Sequence, residues 1–178
     1  MIIYNTLETP LGEAWIASSD AGICLLEFTD RYSEASQVQR LSKLFKCEVS
    51  KDHHPLISQA QLQLEQYFSG HRKEFDLPLD LAGTDFQRRV WHALTTIPYG
   101  ITRSYLEQAR TVSNDKAVRA VAKANGDNPV SIIVPCHRVI GSDGSLTGYG
   151  GGLWRKKRLL ELEGCISVQA SLFDQNPI

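Results

Sequence analysis

The spacing of hydrophobic positions changes along this chain, and the changes mark out its elements. Ile2 to Thr6 and Ala14 to Ala17 are strand-like and flank a turn at Pro10-Leu11-Gly12, which predicts a β-hairpin. A second turn, Asp20-Ala21-Gly22, leads into another strand, Ile23-Cys24-Leu25-Leu26-Glu27-Phe28. From Glu34 to Phe45 the apolar residues Val38, Leu41, Leu44 and Phe45 fall at helical spacing. A second helix follows Pro55, through Leu56, Ala60, Leu64, Tyr67 and Phe68, with Gly70 as its stop. His53-His54 lies in a polar Lys-Asp-His-His-Pro loop and reads as solvated.

The pattern shifts at Asp76 to Gly83 (DLPLDLAG), which reads as a linker. Thr84 and Gln87 then form a capping box for a helix burying Phe86, Val90, Leu94 and Ile97. Ser104 and Glu107 frame a second box for a short helix through Leu106 and Ala109. After Val112-Ser113-Asn114 comes a helix from about Asp115 to Asn125, stopped by Gly126. Two short helices joined by a tight turn, the second carrying Lys116, Arg119 and Lys123, resemble a helix-turn-helix. In that helix Ala117, Ala120, Ala122 and Ala124 surround Arg119. Small side chains there serve close packing on a neighbouring helix or close approach to a DNA groove. Val130 to Val134 predicts a short buried strand running into Pro135-Cys136-His137-Arg138-Val139, followed by a loop rich in glycine from Gly144 to Gly152.

At 178 residues, 42% apolar and 22% charged, the chain has enough core-forming residues for one large or two small folded domains and too few charges for a disordered one. No apolar run is long enough to cross a bilayer, and no secretory leader is expected at the start. The four cysteines, Cys24, Cys47, Cys136 and Cys165, are widely spaced, which fits a reducing cytosol better than a disulfide scaffold. Net charge is −1, but it is unevenly spread. Residues 1–81 hold 7 Lys/Arg against 12 Asp/Glu, whereas residues 82–165 hold 12 against 7. A basic second half suits a polyanionic partner.

Among the cysteines, Cys136 stands apart. Pro135 fixes the backbone before it, ionisable residues follow it at once, and positive neighbours favour a thiolate. Asn128-Pro129, Pro135-Cys136-His137-Arg138-Val139, Gly148-Tyr149-x-Gly-Gly and Glu163-Gly164 closely resemble the O6-alkylguanine-DNA alkyltransferases, the direct-reversal repair proteins. The resemblance runs from Thr9-Pro10-Leu11-Gly12 through Phe86 and Ile97-Pro98-x-Gly100 to Glu163-Gly164. It implies an α/β fold: a ribonuclease-H-like α/β domain over residues 1–80, a mainly helical winged helix-turn-helix domain over 81–165, and a flexible tail over 166–178.

The resemblance also implies a chemistry. The alkyl group of O6-alkylguanine, and of O4-alkylthymine, passes irreversibly to Cys136 in a single turnover, because the resulting thioether has no good leaving group. His137 takes the thiol proton through a water, Glu163 supports the imidazole, and Tyr105 donates to guanine N3. The flipped base sits against Tyr149, with backbone groups of Cys136, Val139 and Gly150 on its edges and Asn125 facing it. Arg119 fills the gap in the stack while Ala117, Val118, Ala120 and Ala122 approach the minor groove. Asn128 is the hinge between the DNA-binding helix and the active-site strand. No cofactor and no metal are expected, and the chain reads as a stand-alone, monomeric repair form.

Three other readings compete. A non-enzymatic lesion binder of the alkyltransferase-like type would lack the cysteine. In a cysteine hydrolase the histidine would touch the sulfur, which adjacent residues on an extended segment do not allow. A plain helix-turn-helix regulator leaves the Pro135–Val139 segment without a purpose. In the tail, Gln169-Ala170-Ser171-Leu172-Phe173 resembles the peptide by which bacterial repair proteins dock on the sliding clamp, with Gln169, Leu172 and Phe173 as its anchors.

Overall fold

The structure, a computed structural model, describes residues 1–167, so the clamp-like peptide lies outside the described residues. Its first half is a four-stranded sheet. Strands β1 (Ile2–Thr9), β2 (Gly12–Ser19) and β3 (Gly22–Phe28) form an antiparallel meander, and β4 (Val49–Lys51) adds parallel to β1, giving the order β3-β2-β1-β4. Helix α1 (Glu34–Phe45) starts at an N-cap on Ser33. Helix α2 (Pro55–Phe68) starts at His54, whose Nδ1 accepts from the Leu56 N–H at 3.2 Å. The residue read as merely solvated is therefore a cap that satisfies an orphan donor of the first turn. Strand β4 was not foreseen, because three half-buried residues carry almost no periodicity.

The second half is helical: α3 (Asp85–Thr95), α4 (Tyr105–Val112), α5 (Val118–Gly126) and α6 (Leu153–Leu162), with two-residue strands β5 (Arg103–Ser104) and β6 (Val139–Ile140) paired in parallel. Both predicted capping boxes are present, Thr84 with Gln87 and Ser104 with Glu107. The helix expected from Asp115 begins with a single 3₁₀ turn, Asp115–Ala117, and becomes α-helical only at Val118. Val121 and Ala124 face inward beside Val90, Trp91 and Leu94, and the Trp91 indole donates to the Ala124 carbonyl at 2.8 Å. Ala124 is thus a packing residue. Arg119 and Ala120 are exposed, and Ala117, Val118 and Ala122 are half-buried.

The predicted strand at 130–134 requires correction. Only Val130 pairs, in a single parallel bridge to Leu26, and the next residues turn back on themselves. Ile132 lies at φ 70°, a left-handed conformation that a β-branched side chain adopts at a cost. The cause is Asn128: its Oδ1 accepts from the Val130 N–H at 3.0 Å, and its Nδ2 donates to the Val134 carbonyl at 2.9 Å. A side-chain amide here satisfies backbone groups that a neighbouring strand would otherwise pair. Cys136–Arg138 is likewise a 3₁₀ turn and not an extended segment, so alternation of side chains does not govern where His137 points.

Candidate active site

The two halves of the chain meet at Cys136. Its sulfur is buried and accepts a hydrogen bond from Asn128 Nδ2 at 3.1 Å, so the residue expected to act as a hinge touches the sulfur itself. Burial pushes the thiol pKa up, while the Asn128 bond and the charges of Lys156 and Arg31 oppose that rise. The resting group is therefore a protonated thiol, and a base must remove its proton before it attacks.

His137, fully buried, is the adjacent base. Its Nε2 donates to Glu163 Oε1 at 2.8 Å, while Nδ1 has no hydrogen-bond partner among the described residues. A carboxylate on Nε2 fixes the tautomer and leaves the Nδ1 lone pair to accept a proton. Burial holds the imidazole pKa below its ordinary value, so the ring is neutral at pH 7 and able to do so.

Glu163 lies at the end of α6 and collects donors from three segments. Tyr67 Oη donates to it at 2.7 Å, Arg138 Nε and Nη2 at 2.8 and 2.9 Å, and the Gly100 N–H at 3.2 Å. Burial alone would raise this carboxyl, but the bonds from His137 and Arg138 pull it down to about 2, a permanent anion. Tyr67 and Arg138 were missed from the sequence. Tyr67 lies 96 residues away and reads as a core aromatic, and only its contact distance reveals it.

Tyr105 opens α4, and its hydroxyl donates to the carbonyls of Thr147 and Gly148 at 3.0 and 2.9 Å. Burial and the nearby Cys136 raise its pKa to about 12, so the phenol keeps its proton as a donor. Gly148 is glycine for two reasons: φ is +61°, and a Cβ there would stand 3.0 Å from the Tyr105 oxygen. Lys156, fully buried on α6, was also missed. Its Nζ donates to Val139 O at 2.5 Å and Thr147 O at 2.6 Å, tying the glycine-rich loop to β6. Burial lowers its pKa to about 8. Tyr149 is buried on the same loop and Gly150 is exposed beside it. Asn125, at the end of α5, is 2% exposed with both amide atoms unpartnered among the described residues, an unusual state for a buried amide.

Arg119 stands on the outer face of α5, away from this cluster. Its basic neighbours Arg110 and Lys123 pair with Asp115 and Asp127, whereas Arg119 has no ion pair among the described residues. No group of three metal-ligating side chains forms among the described residues, and no helix there is long and apolar enough to cross a membrane.

Residues 2–81 match the model of the 6-O-methylguanine DNA methyltransferase ribonuclease-like domain, and residues 85–165 match that of the DNA-binding domain of the same family. The chain belongs to this family. Among relatives, the methylated-DNA–protein-cysteine methyltransferase of Mycolicibacterium paratuberculosis is 47% identical over 98% of this chain and 100% of its own. The constitutive Bacillus subtilis protein of the same name is 44% identical over 90% of this chain and 93% of its own. The crystal structure of the Mycobacterium tuberculosis O6-methylguanine methyltransferase superposes with a TM-score of 0.79 at 46% identity, covering 98% of this chain and 100% of that one. A structure of the same protein in complex with DNA gives 0.78 over 91% and 92%. A ribonuclease-like α/β half followed by a helical DNA-binding half is thus the architecture of this methyltransferase family.

Proposed function

We propose that this protein repairs DNA by taking the alkyl group of O6-alkylguanine irreversibly onto Cys136. The observation that carries the reading is the linked arrangement Glu163–His137 beside a buried Cys136 held by Asn128. Glu163 fixes the proton on Nε2, so Nδ1 takes the thiol proton through a water. The sulfur then attacks the alkyl carbon, an S–C bond forms as the C–O6 bond breaks, and the electron pair leaves with the guanine. Tyr105 supplies a proton donor to the departing base, exchanging its bonds to Thr147 and Gly148 for one to the purine. The same displacement at O4-alkylthymine needs no additional group. The thioether has no leaving group that water displaces, so each molecule reacts once. The decisive test is incubation with duplex DNA containing O6-methylguanine: the Cys136 peptide gains one CH₂, saturating at one equivalent. Turnover, or modification elsewhere, refutes the reading.

The reacting carbon lies within the stacked duplex, so the base must leave the stack. Arg119 is the side chain placed to fill the gap, with Ala117, Val118, Ala120 and Ala122 small enough for α5 to approach the minor groove. Tyr149, Val139, Gly150 and Asn125 surround the extruded base, and the orphan amide of Asn125 gains partners there. Arg119→Ala is expected to slow repair of duplex DNA at least about tenfold, since a few kcal/mol of unstacking then go uncompensated. Reaction with free O6-benzylguanine should stay near wild type, and equal losses on both would remove Arg119 from this role.

The peptide Gln169–Phe173 suits the bacterial sliding clamp as a partner, with Leu172 and Phe173 as apolar anchors and Gln169 as a hydrogen-bonding one. Capture on immobilised clamp is expected for the wild type and lost in Leu172→Ala/Phe173→Ala, with alkyl transfer unchanged in both.

A further inference from the structure

We propose that Arg31, on the loop between β3 and α1, is a positioning residue of the alkyl-transfer site: it clasps the Gly150 wall to the end of α5 and sets a positive charge near the Cys136 sulfur. The inference rests on the alkyl-transfer reading above and assigns the ribonuclease-like half a direct part in it.

Three segments converge at this guanidinium. Its Nη2 donates to the Gly126 carbonyl at 3.4 Å, at the end of α5 next to Asn125. Its Nη1 lies so close over Gly150 that a Cβ there would stand 2.6 Å from it and 3.2 Å from the Gly126 oxygen. The loop carrying it is fixed from below. Glu27, 3% exposed on β3, accepts from Arg31 Nη1 at 3.2 Å, from Gln37 Nε2 at 2.8 Å and from Arg40. The ring of Tyr32 lies against the guanidinium groups of Arg31 and Arg40, 5.2 and 5.0 Å from its centroid. One carboxylate thus faces two guanidinium groups, and a net positive charge remains on this side of the site.

That charge reaches the sulfur, since Arg31 is one of the groups opposing the burial-driven rise of the thiol pKa. The other groups facing Cys136 are Asn128 before it, Tyr105 from α4, Tyr149 from the glycine-rich loop and Lys156 from α6, with His137, Glu163 and Arg138 behind. Lys156 is committed to two carbonyls and holds the loop from inside. Arg31 holds it from outside, from the other half of the protein. Because Arg31 is partly exposed, its removal leaves the core intact.

The test is the pH profile of Cys136 labelling by iodoacetamide, read on the Cys136 peptide, for wild type, Arg31→Met and Arg31→Lys. Lys156 and His137 are present in all three, and Arg31→Lys serves as the control that keeps the charge. Arg31→Met is expected to raise the labelling midpoint by about half a pH unit, about a threefold lower rate at neutral pH. Arg31→Lys keeps the charge and should label near wild type, yet both variants should take the methyl group from O6-methylguanine DNA more slowly, since Lys lacks the two-pronged reach to Gly126 and Glu27. A wild-type midpoint in Arg31→Met overturns the proposal, as does an equal loss at every pH in both variants, which marks a merely structural clasp. Arg31→Gln is the substitute should Arg31→Met fail to fold. Should labelling follow the expected profiles while even the wild type takes no alkyl group from DNA, the alkyl-transfer reading falls and the placement of Arg31 by the thiol stands.

Discussion

Cys136→Ala is expected to bind O6-methylguanine DNA with wild-type affinity and to transfer no alkyl group at all. In the proposed reaction the sulfur is both nucleophile and final acceptor, so no neighbouring group substitutes for it; the loss is then complete, unlike that of a residue which only assists. Affinity should survive because the groups proposed to face DNA, Arg119 and the small residues around it, are exposed or half-buried while the thiol is buried. The substitution also removes the acceptor of the Asn128 amide, a bond worth about 1 kcal/mol, while Asn128 keeps its bonds to Val130 and Val134. The fold therefore persists, as melting temperature checks. Gel-shift titration beside mass analysis of the Cys136→Ala protein after incubation with the lesion distinguishes the two competing readings. Transfer that persists in this variant would show that Cys136 is not the acceptor. A wild type that binds and never transfers would make the protein a lesion binder.

Glu163→Gln is expected to destabilise the fold by about 3–5 kcal/mol, measured as the shift of a urea unfolding midpoint at constant slope. Glu163 is the only carboxylate among the described residues that contacts Arg138, whose side chain is buried. A neutral amide leaves that guanidinium uncompensated, and its NH₂ meets Tyr67, His137 or Gly100 donor to donor. The effect carries a pH signature with a defined sign. The native carboxyl titrates at about 2 instead of the ordinary 4.5, so its contribution is complete above about 4.5 and disappears as pH falls towards 2. The gap between wild type and Glu163→Gln should therefore narrow over that window. His137 acts in the same direction at higher pH. Buried and neutral when folded, it binds its proton more readily in the unfolded chain, so stability drains as pH falls below its ordinary 6.5. A gap that stays constant down to pH 2 would show that Glu163 holds these donors without its charge. Alkyl transfer should fall with the same substitution, since Gln can donate to Nε2 and so select the tautomer with the proton on Nδ1.

Local signals were legible wherever a residue acts on its own neighbours. The two capping boxes, the bounds of α1 and α2, the stop at Gly70 and the two tight turns of the β-meander follow from residues within four positions of one another, and their physics needs no distant partner. The motif around Cys136 was legible too, because the thiol, histidine and loop glycines stand close together in the chain. The 130–134 segment was misread for the converse reason. Its apolar run suits either a strand or a packed turn, and the Asn128 side chain decides between them by taking the backbone groups for itself.

What the chain alone determined, then, is the candidate thiol with its adjacent histidine, and most of the helices and strands around them. What only the tertiary structure decided is the environment of that thiol. Tyr67, Arg31 and Leu26 come from the ribonuclease-like half, Arg138, Lys156 and Glu163 from the other, and no sequence spacing relates them. Their effects are electrostatic and depend on distance and burial. A carboxylate held at about 2, a neutral imidazole with one open nitrogen and a thiol balanced between burial and charge exist only once both halves have excluded water from a shared interior.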